Sequence, residues 1–171
     1  MAHPRPAHCY RNVTGPAYTR RKYMGGIPGD KLVQFDVGNI KGDFPMEMIL
    51  CVDEACQIRN TALDAARVSI VKCMEGAAGA AGFHLKVNTH AYHVLRENKQ
   101  AQGAGADRVS DGMRLSFGKC IGTAARVKRN QVIFTLRFNK ANIENAKDAM
   151  RKGSSKIPST CTFKLTKGAE Q

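Results

Sequence analysis

One stretch decides what the rest of this chain can build. From Arg96 to Arg129 it reads RENKQAQGAGADRVSDGMRLSFGKCIGTAARVKR. Gly103, Gly105, Gly112, Gly118 and Gly122 loosen its backbone, and Arg96, Lys99, Arg108, Arg114, Lys119, Arg126, Lys128 and Arg129 hang cations on it. Its first half is poor in large apolar side chains, so it cannot bury its own surface. Any core must come from the segments on either side, with a long internal loop at about 97–118 between them. The charge implies that this loop lies against a polyanion.

The imbalance extends beyond the loop. The 171 residues carry a net charge of +13, yet 43% are hydrophobic, enough for one globular domain with a real core. Residues 1–31 hold six Lys/Arg against one acid, residues 32–95 five against seven, and residues 96–129 and 130–171 eight against three each. The near-neutral segment is the expected body, and the excess sits on an N-terminal arm, the central loop and the C-terminal third. That distribution is the footprint of nucleic-acid binding; the alternative is a basic interaction protein on an acidic protein or membrane surface.

No apolar run reaches the roughly 18 residues of a membrane span. The opening MAHPRPAHCYRNVTG lacks the apolar core of a secretory signal, and His3, Pro4 and Pro6 break an early amphipathic helix. Cys9, Cys51, Cys56, Cys73, Cys120 and Cys161 show no repeating pair, so reduced thiols in a cytosolic setting are expected.

Residues 1–30 read as an arm, loosened by Pro16, Pro28 and four glycines. In it Tyr10-Arg11 and Tyr18-Thr19-Arg20-Arg21-Lys22-Tyr23 interleave rings that can stack on bases with cations that meet phosphates. Residues 31–171 read as a single α+β domain. Strands are expected at Lys31–Val37, Met46–Val52, Phe83–Val87, His93–Arg96, Thr123–Val127, Gln131–Phe138 and Cys161–Leu165. Asp53–Arg59 reads as a lead-in to a helix capped by Asn60 or Thr61, with Asp64 in its first turn; Leu63, Ala66, Ile70 and Met74, joined by Val71, form its core stripe, and Gly76 and Gly79 end it. A second helix, capped by Asn142 and stopped by Gly153, places Ile143, Ala146 and Met150 on one face. The two helices are expected to pack on one mixed or antiparallel sheet.

Catalytic and metal chemistry find little purchase. His90 and His93 point to opposite faces of an extended segment, and Cys51 and Cys56 have no matching second pair, so no metal is expected. Asp107 and Asp111 lie near Ser110 and Ser116 on a glycine-loosened loop with no base held beside them. Gly103-Ala104-Gly105-Ala106-Asp107 lacks the G-K-[ST] of a phosphate-cradling loop. Neither an enzyme nor a cofactor is expected.

Several segments, taken in order, resemble a known family. They are Pro6-Ala7-His8-Cys9-Tyr10-Arg11, Gly25-Gly26-Ile27-Pro28 with Phe35-Asp36-Val37-Gly38, and Phe83-His84-Leu85-Lys86-Val87 through His93-Val94-Leu95-Arg96. They continue with Gly105-Ala106-Asp107-Arg108, Gly112-Met113-Arg114, Phe117-Gly118-Lys119 and Gly122-Thr123-Ala124-Ala125-Arg126-Val127. Together they resemble the large-subunit ribosomal protein of the universal L-sixteen family, in its archaeal and eukaryotic L-ten-e branch. The end at Gln171, Cys120 where eukaryotic members often have proline, and Glu97 point to the archaeal type.

The resemblance implies an α+β protein without chemistry of its own. It would bind large-subunit ribosomal RNA near the peptidyl-transferase centre and the tRNA path, beside neighbouring ribosomal proteins, in the cytoplasmic ribosome. The loop at roughly 100–114 would point toward tRNA, with Arg96, Lys99, Gly103, Gly105, Arg108 and Arg114 serving it. Arg5, Arg11, Arg20, Arg21, Lys22, Lys119, Arg126, Lys128 and Arg129 are the expected rRNA phosphate contacts, and Tyr10, Tyr18 and Tyr23 the expected stacking rings.

Overall fold

The strongest apolar patterns become the layers of the fold. A computed structural model describes residues 5–99 and 112–168. In chain order the elements are β1 (Asp36–Gly38), β2 (Met46–Val52), β3 (Cys56–Arg59), α1 (Asn60–Ala78), β4 (Phe83–Val87), β5 (His93–Glu97), β6 (Lys119–Val127), β7 (Val132–Phe138), α2 (Ile143–Ser154) and β8 (Cys161–Lys167). The fold is α+β, and every strand pair among the described residues is antiparallel.

The strands divide into two sheets where the sequence suggested one. A five-stranded sheet runs β1-β4-β7-β2-β8, and a three-stranded sheet runs β3-β6-β5. β6 and β7 are consecutive yet lie in different sheets. The turn at Lys128–Asn130 redirects the chain: Asn130 adopts φ 61°, the Gln131 amide donates to the Lys128 carbonyl at 3.2 Å, and the Asn130 amide reaches the Val52 carbonyl at 2.7 Å.

Both helices pack against each other and against the five-stranded sheet. Along β2, Met46, Met48, Leu50 and Val52 are buried, while Glu47 and Ile49 on the other face are half-buried. Leu50, Phe134, Leu136 and Phe83 meet Leu63, Ala66, Ile70 and Met74 of α1 and Ala146, Ala149 and Met150 of α2 in one core, which Ile58, Ala125 and Val127 of the second sheet also join. The three-stranded sheet is therefore an extension of the same core.

Several boundaries differ from the sequence reading, each for a physical reason. In Lys31–Val37 only the end forms a ladder, because Leu32 is a single anchor at 4% exposure while Val33 stands 76% exposed. The lead-in before α1 contains β3, a four-residue strand whose Gln57 side chain is buried although polar. Asn60 does not cap α1, since its amide donates to Asp30 at 3.0 Å and Thr123 at 2.8 Å; Asp64 pairs with Arg67 at 2.9 Å instead of serving the first turn. Gly76 lies inside α1, which ends at Gly79 with φ 72°. Gly153 lies inside α2 rather than stopping it: a Cβ there would come 2.7 Å from Ile70 Cδ1, so the glycine permits close helix approach. Asn142 gives α2 no side-chain cap, and β5, β6 and β8 all run longer than their apolar cores.

Candidate nucleic-acid interface

The outer face of the three-stranded sheet carries the arm. At its start, the Arg5 guanidinium meets Glu97 at 3.0 Å, the Tyr10 hydroxyl donates to Glu97 at 2.6 Å, and Arg59 both donates to the Arg5 carbonyl at 3.0 Å and lies over the Tyr10 ring. Burial, the hydrogen bond to Glu97 and its charge push the Tyr10 hydroxyl pKa up to about 12, so it stays a donor. The arm then crosses the sheet. The Gln57 amide N–H of β3 donates to the Arg11 carbonyl at 2.8 Å, and the Val94 amide of β5 donates to the Tyr18 carbonyl at 3.0 Å. Arg11 also pairs with Glu54. At the far end Asp30 accepts from Thr123 and Asn60 and faces Arg21 at 3.7 Å. Burial pushes the Asp30 carboxyl up, but these hydrogen bonds and the arginine charge outweigh it and hold the pKa below its usual value.

His93 sits under the crossing. The Tyr18 amide donates to its Nδ1 at 3.0 Å, which places the ring proton on Nε2. Arg126 Nη2, 3.4 Å from Nε2, is then a charge contact rather than a hydrogen bond. Burial, reinforced by this charge, pulls the imidazole pKa down to about 4. The folded protein thus holds His93 neutral while the unfolded chain protonates it near 6.5. Stability from this site is complete above about pH 6.5 and is lost as pH falls toward 4, at up to about 1.4 kcal/mol per pH unit. Urea unfolding at about pH 7 and about pH 5.5 should show the decline, and His93→Gln, which keeps an acceptor for Tyr18, should flatten it.

The cations expected to meet phosphate or to serve the loop fall into two groups. Arg5, Arg11, Arg21, Arg96 and Arg126 have intramolecular partners; Arg96 donates to the Gly118 carbonyl at 2.9 Å and lies 4.4 Å over the Phe117 ring. Arg20, Lys22, Lys99, Arg114, Lys119, Lys128 and Arg129 are exposed and form no ion pair among the described residues. Lys119 opens β6 and Lys128 follows its last residue; the nine residues of the strand span roughly 26 Å at about 3.3 Å per residue. Exposed rings lie among these cations. Tyr23 is 73% exposed with Lys22 Nζ 5.9 Å from its centre, and Phe117, 68% exposed, meets Tyr18 edge-on at 6.3 Å. Tyr18 also stacks on His93 at 5.8 Å. Gly103, Gly105 and Arg108 lie outside the described residues.

Sequence reasoning missed Gln57, Asp30 and Glu97 as anchors of the arm, and weighed His93 only as a metal ligand. Gln57 stands between Cys56 and Ile58, but nothing in the sequence marks it as buried. Among the described residues no three His, Cys, Asp or Glu side chains form a metal-holding group, and no helix is long and apolar enough to cross a membrane.

Comparison with known proteins identifies the family. Residues 13–164 match the pattern of ribosomal protein L16p/L10e. Large ribosomal subunit protein uL16 of Methanospirillum hungatei is 58% identical over 155 residues, covering 91% of each chain. The protein of the same name from Methanosphaerula palustris is 57% identical, covering 91% of this chain and 90% of its own. The one from Thermoplasma acidophilum is 52% identical over 166 residues, covering 97% of this chain and 94% of its own. A match over most of the length, at this identity, shows that the chain belongs to the ribosomal protein L16p/L10e family.

Proposed function

We propose that this ribosomal protein is a structural constituent of the large subunit that binds large-subunit rRNA near the peptidyl-transferase centre and the tRNA path. As a member of a ribosomal-protein family it is a structural component and not an enzyme. In this reading the arm (1–30) and the α+β domain (31–171) share the RNA. Arg20, Lys22, Lys119, Lys128 and Arg129 neutralise phosphates. Arg5, Arg11 and Arg21, with side chains 56%, 39% and 52% exposed, add their outward donors. The loop, with Arg96, Lys99, Gly103, Gly105, Arg108 and Arg114 in or beside it, faces tRNA and supports its accommodation, and neighbouring ribosomal proteins pack alongside.

The observation that carries this reading is the set of exposed cations that form no ion pair among the described residues, interleaved with exposed rings at Tyr18, Tyr23 and Phe117. A purely electrostatic partner, such as an acidic protein or membrane surface, has no use for the rings; unpaired bases do. Filter binding to large-subunit rRNA fragments should show affinity falling steeply with salt, by about 0.7–0.9 logarithmic units per tenfold salt for each phosphate contacted. An affinity indifferent to salt would exclude the phosphate contacts. Crosslinks from the loop that reach rRNA but never tRNA in assembled subunits would exclude the tRNA-facing assignment.

A further inference from the structure

We propose that Arg126 is a positioning residue, a clasp that fixes the course of the N-terminal arm, rather than a ligand for RNA phosphate. The inference rests on the rRNA-binding reading only for its functional consequence; its geometry stands alone.

Arg126 lies on β6, the central strand of the sheet that the arm crosses. Its guanidinium donates to three consecutive arm carbonyls: Nη1 to Gly15 at 2.7 Å, and Nη2 to Thr14 at 3.3 Å and Pro16 at 3.4 Å. Three carbonyls converge on one group because Gly15, at φ 62°, turns the backbone there. The remaining edge is also engaged, with Nε donating to Gln57 Oε1 at 3.3 Å. Gln57 turns its own Nε2 to the same arm, donating to the Tyr10 carbonyl at 3.1 Å and the Asn12 carbonyl at 2.6 Å. One amide thus orients the arginine through its oxygen and grips the chain through its nitrogen. A planar fork with five N–H donors suits this task, and the three donors of a lysine ammonium on a flexible stem do not.

These four hydrogen bonds within the protein leave few of the five guanidinium N–H groups for a phosphate. The segment so fixed, residues 10–18, leads directly into Arg20, Lys22 and Tyr23, which are exposed. Asp30 fastens the far side of that basic loop to Asn60 and Thr123. The clasp therefore decides where the arm's own cations stand before RNA arrives, so that less ordering remains to be done on binding.

The test uses the full chain. In the free protein, the Tyr18 and Val94 amides should be protected from hydrogen exchange, and Arg126→Ala should speed their exchange at least tenfold. Gln57→Leu, which changes no charge, should do the same. Arg126→Lys keeps the charge and the aliphatic stem, so it guards against a variant that fails to fold; it too should lose the protection. Wild-type exchange at Tyr18 and Val94 in folded Arg126→Ala or Arg126→Lys would overturn the clasp. With rRNA fragments, Arg126→Ala should weaken binding in the full chain but add nothing once residues 1–18 are deleted, whereas Lys128→Ala should weaken both. Additive loss from Arg126→Ala in the deleted background would mean direct phosphate contact and would also overturn the proposal. If no variant, Lys128→Ala included, alters RNA binding, the rRNA reading fails while the exchange data still decide the clasp.

Discussion

Phe134→Ala should lower the free energy of unfolding by about 3–5 kcal/mol, the range for deleting a fully buried aromatic side chain. Phe134 has no exposed surface, and it lies between Leu50 on β2 and Val87 on β4 at the middle of the five-stranded sheet. The helices close over the core to which it belongs, so little can collapse into the vacated space. Single domains are stable by about 5–15 kcal/mol in total, so this one change removes a large share. Urea unfolding should show a lower midpoint with an unchanged slope, since the surface exposed on unfolding hardly changes. RNA affinity should fall only by the loss of folded protein. A midpoint within experimental error of the wild type would mean that the sheet–helix core described above is wrong.

Alanine at Arg20, Lys22, Lys128 and Arg129 together should do the reverse. These side chains are exposed and form no ion pair among the described residues, so their removal strands no buried partner, and the urea midpoint should barely move. Binding should suffer heavily. Four lost phosphate contacts make the logarithmic salt slope shallower by about 3, which at 0.1 M salt corresponds to roughly a thousandfold weaker affinity. The two variants separate the fold from the interface. If the fourfold variant bound with the parent's salt slope, these cations would not face RNA.

The parts of the fold legible in the sequence were those where one face is buried over several turns or residues. The Leu63–Ala66–Ile70–Met74 stripe is the buried face of α1, and Phe83–Val87 is a strand over its whole expected length. Periodicity reports burial, and burial is what those elements share. β3 was not legible, because four residues alternating with Gln57 and Arg59 carry too little apolar signal, and Gln57 is buried for its hydrogen bonds rather than its hydrophobicity. The docking of the arm was equally hidden. It runs through backbone carbonyls that accept from side chains 45 to 112 residues away, and a carbonyl has no sequence signature. The candidate site was legible as a set of cations and rings, not as a division between those already engaged and those free to meet a partner.

The arm's path has a consequence for the protein before it reaches a ribosome. The outer edges of β3 and β5 each donate a hydrogen bond to the chain's own arm, from the Gln57 backbone N–H to the Arg11 carbonyl and from the Val94 N–H to the Tyr18 carbonyl. One rim of the larger sheet, β8, carries Lys164 and Lys167. Open strand edges invite another chain to add itself, and self-covered or lysine-studded ones discourage it. Edges of this kind work against strand-to-strand pairing between two copies of the chain.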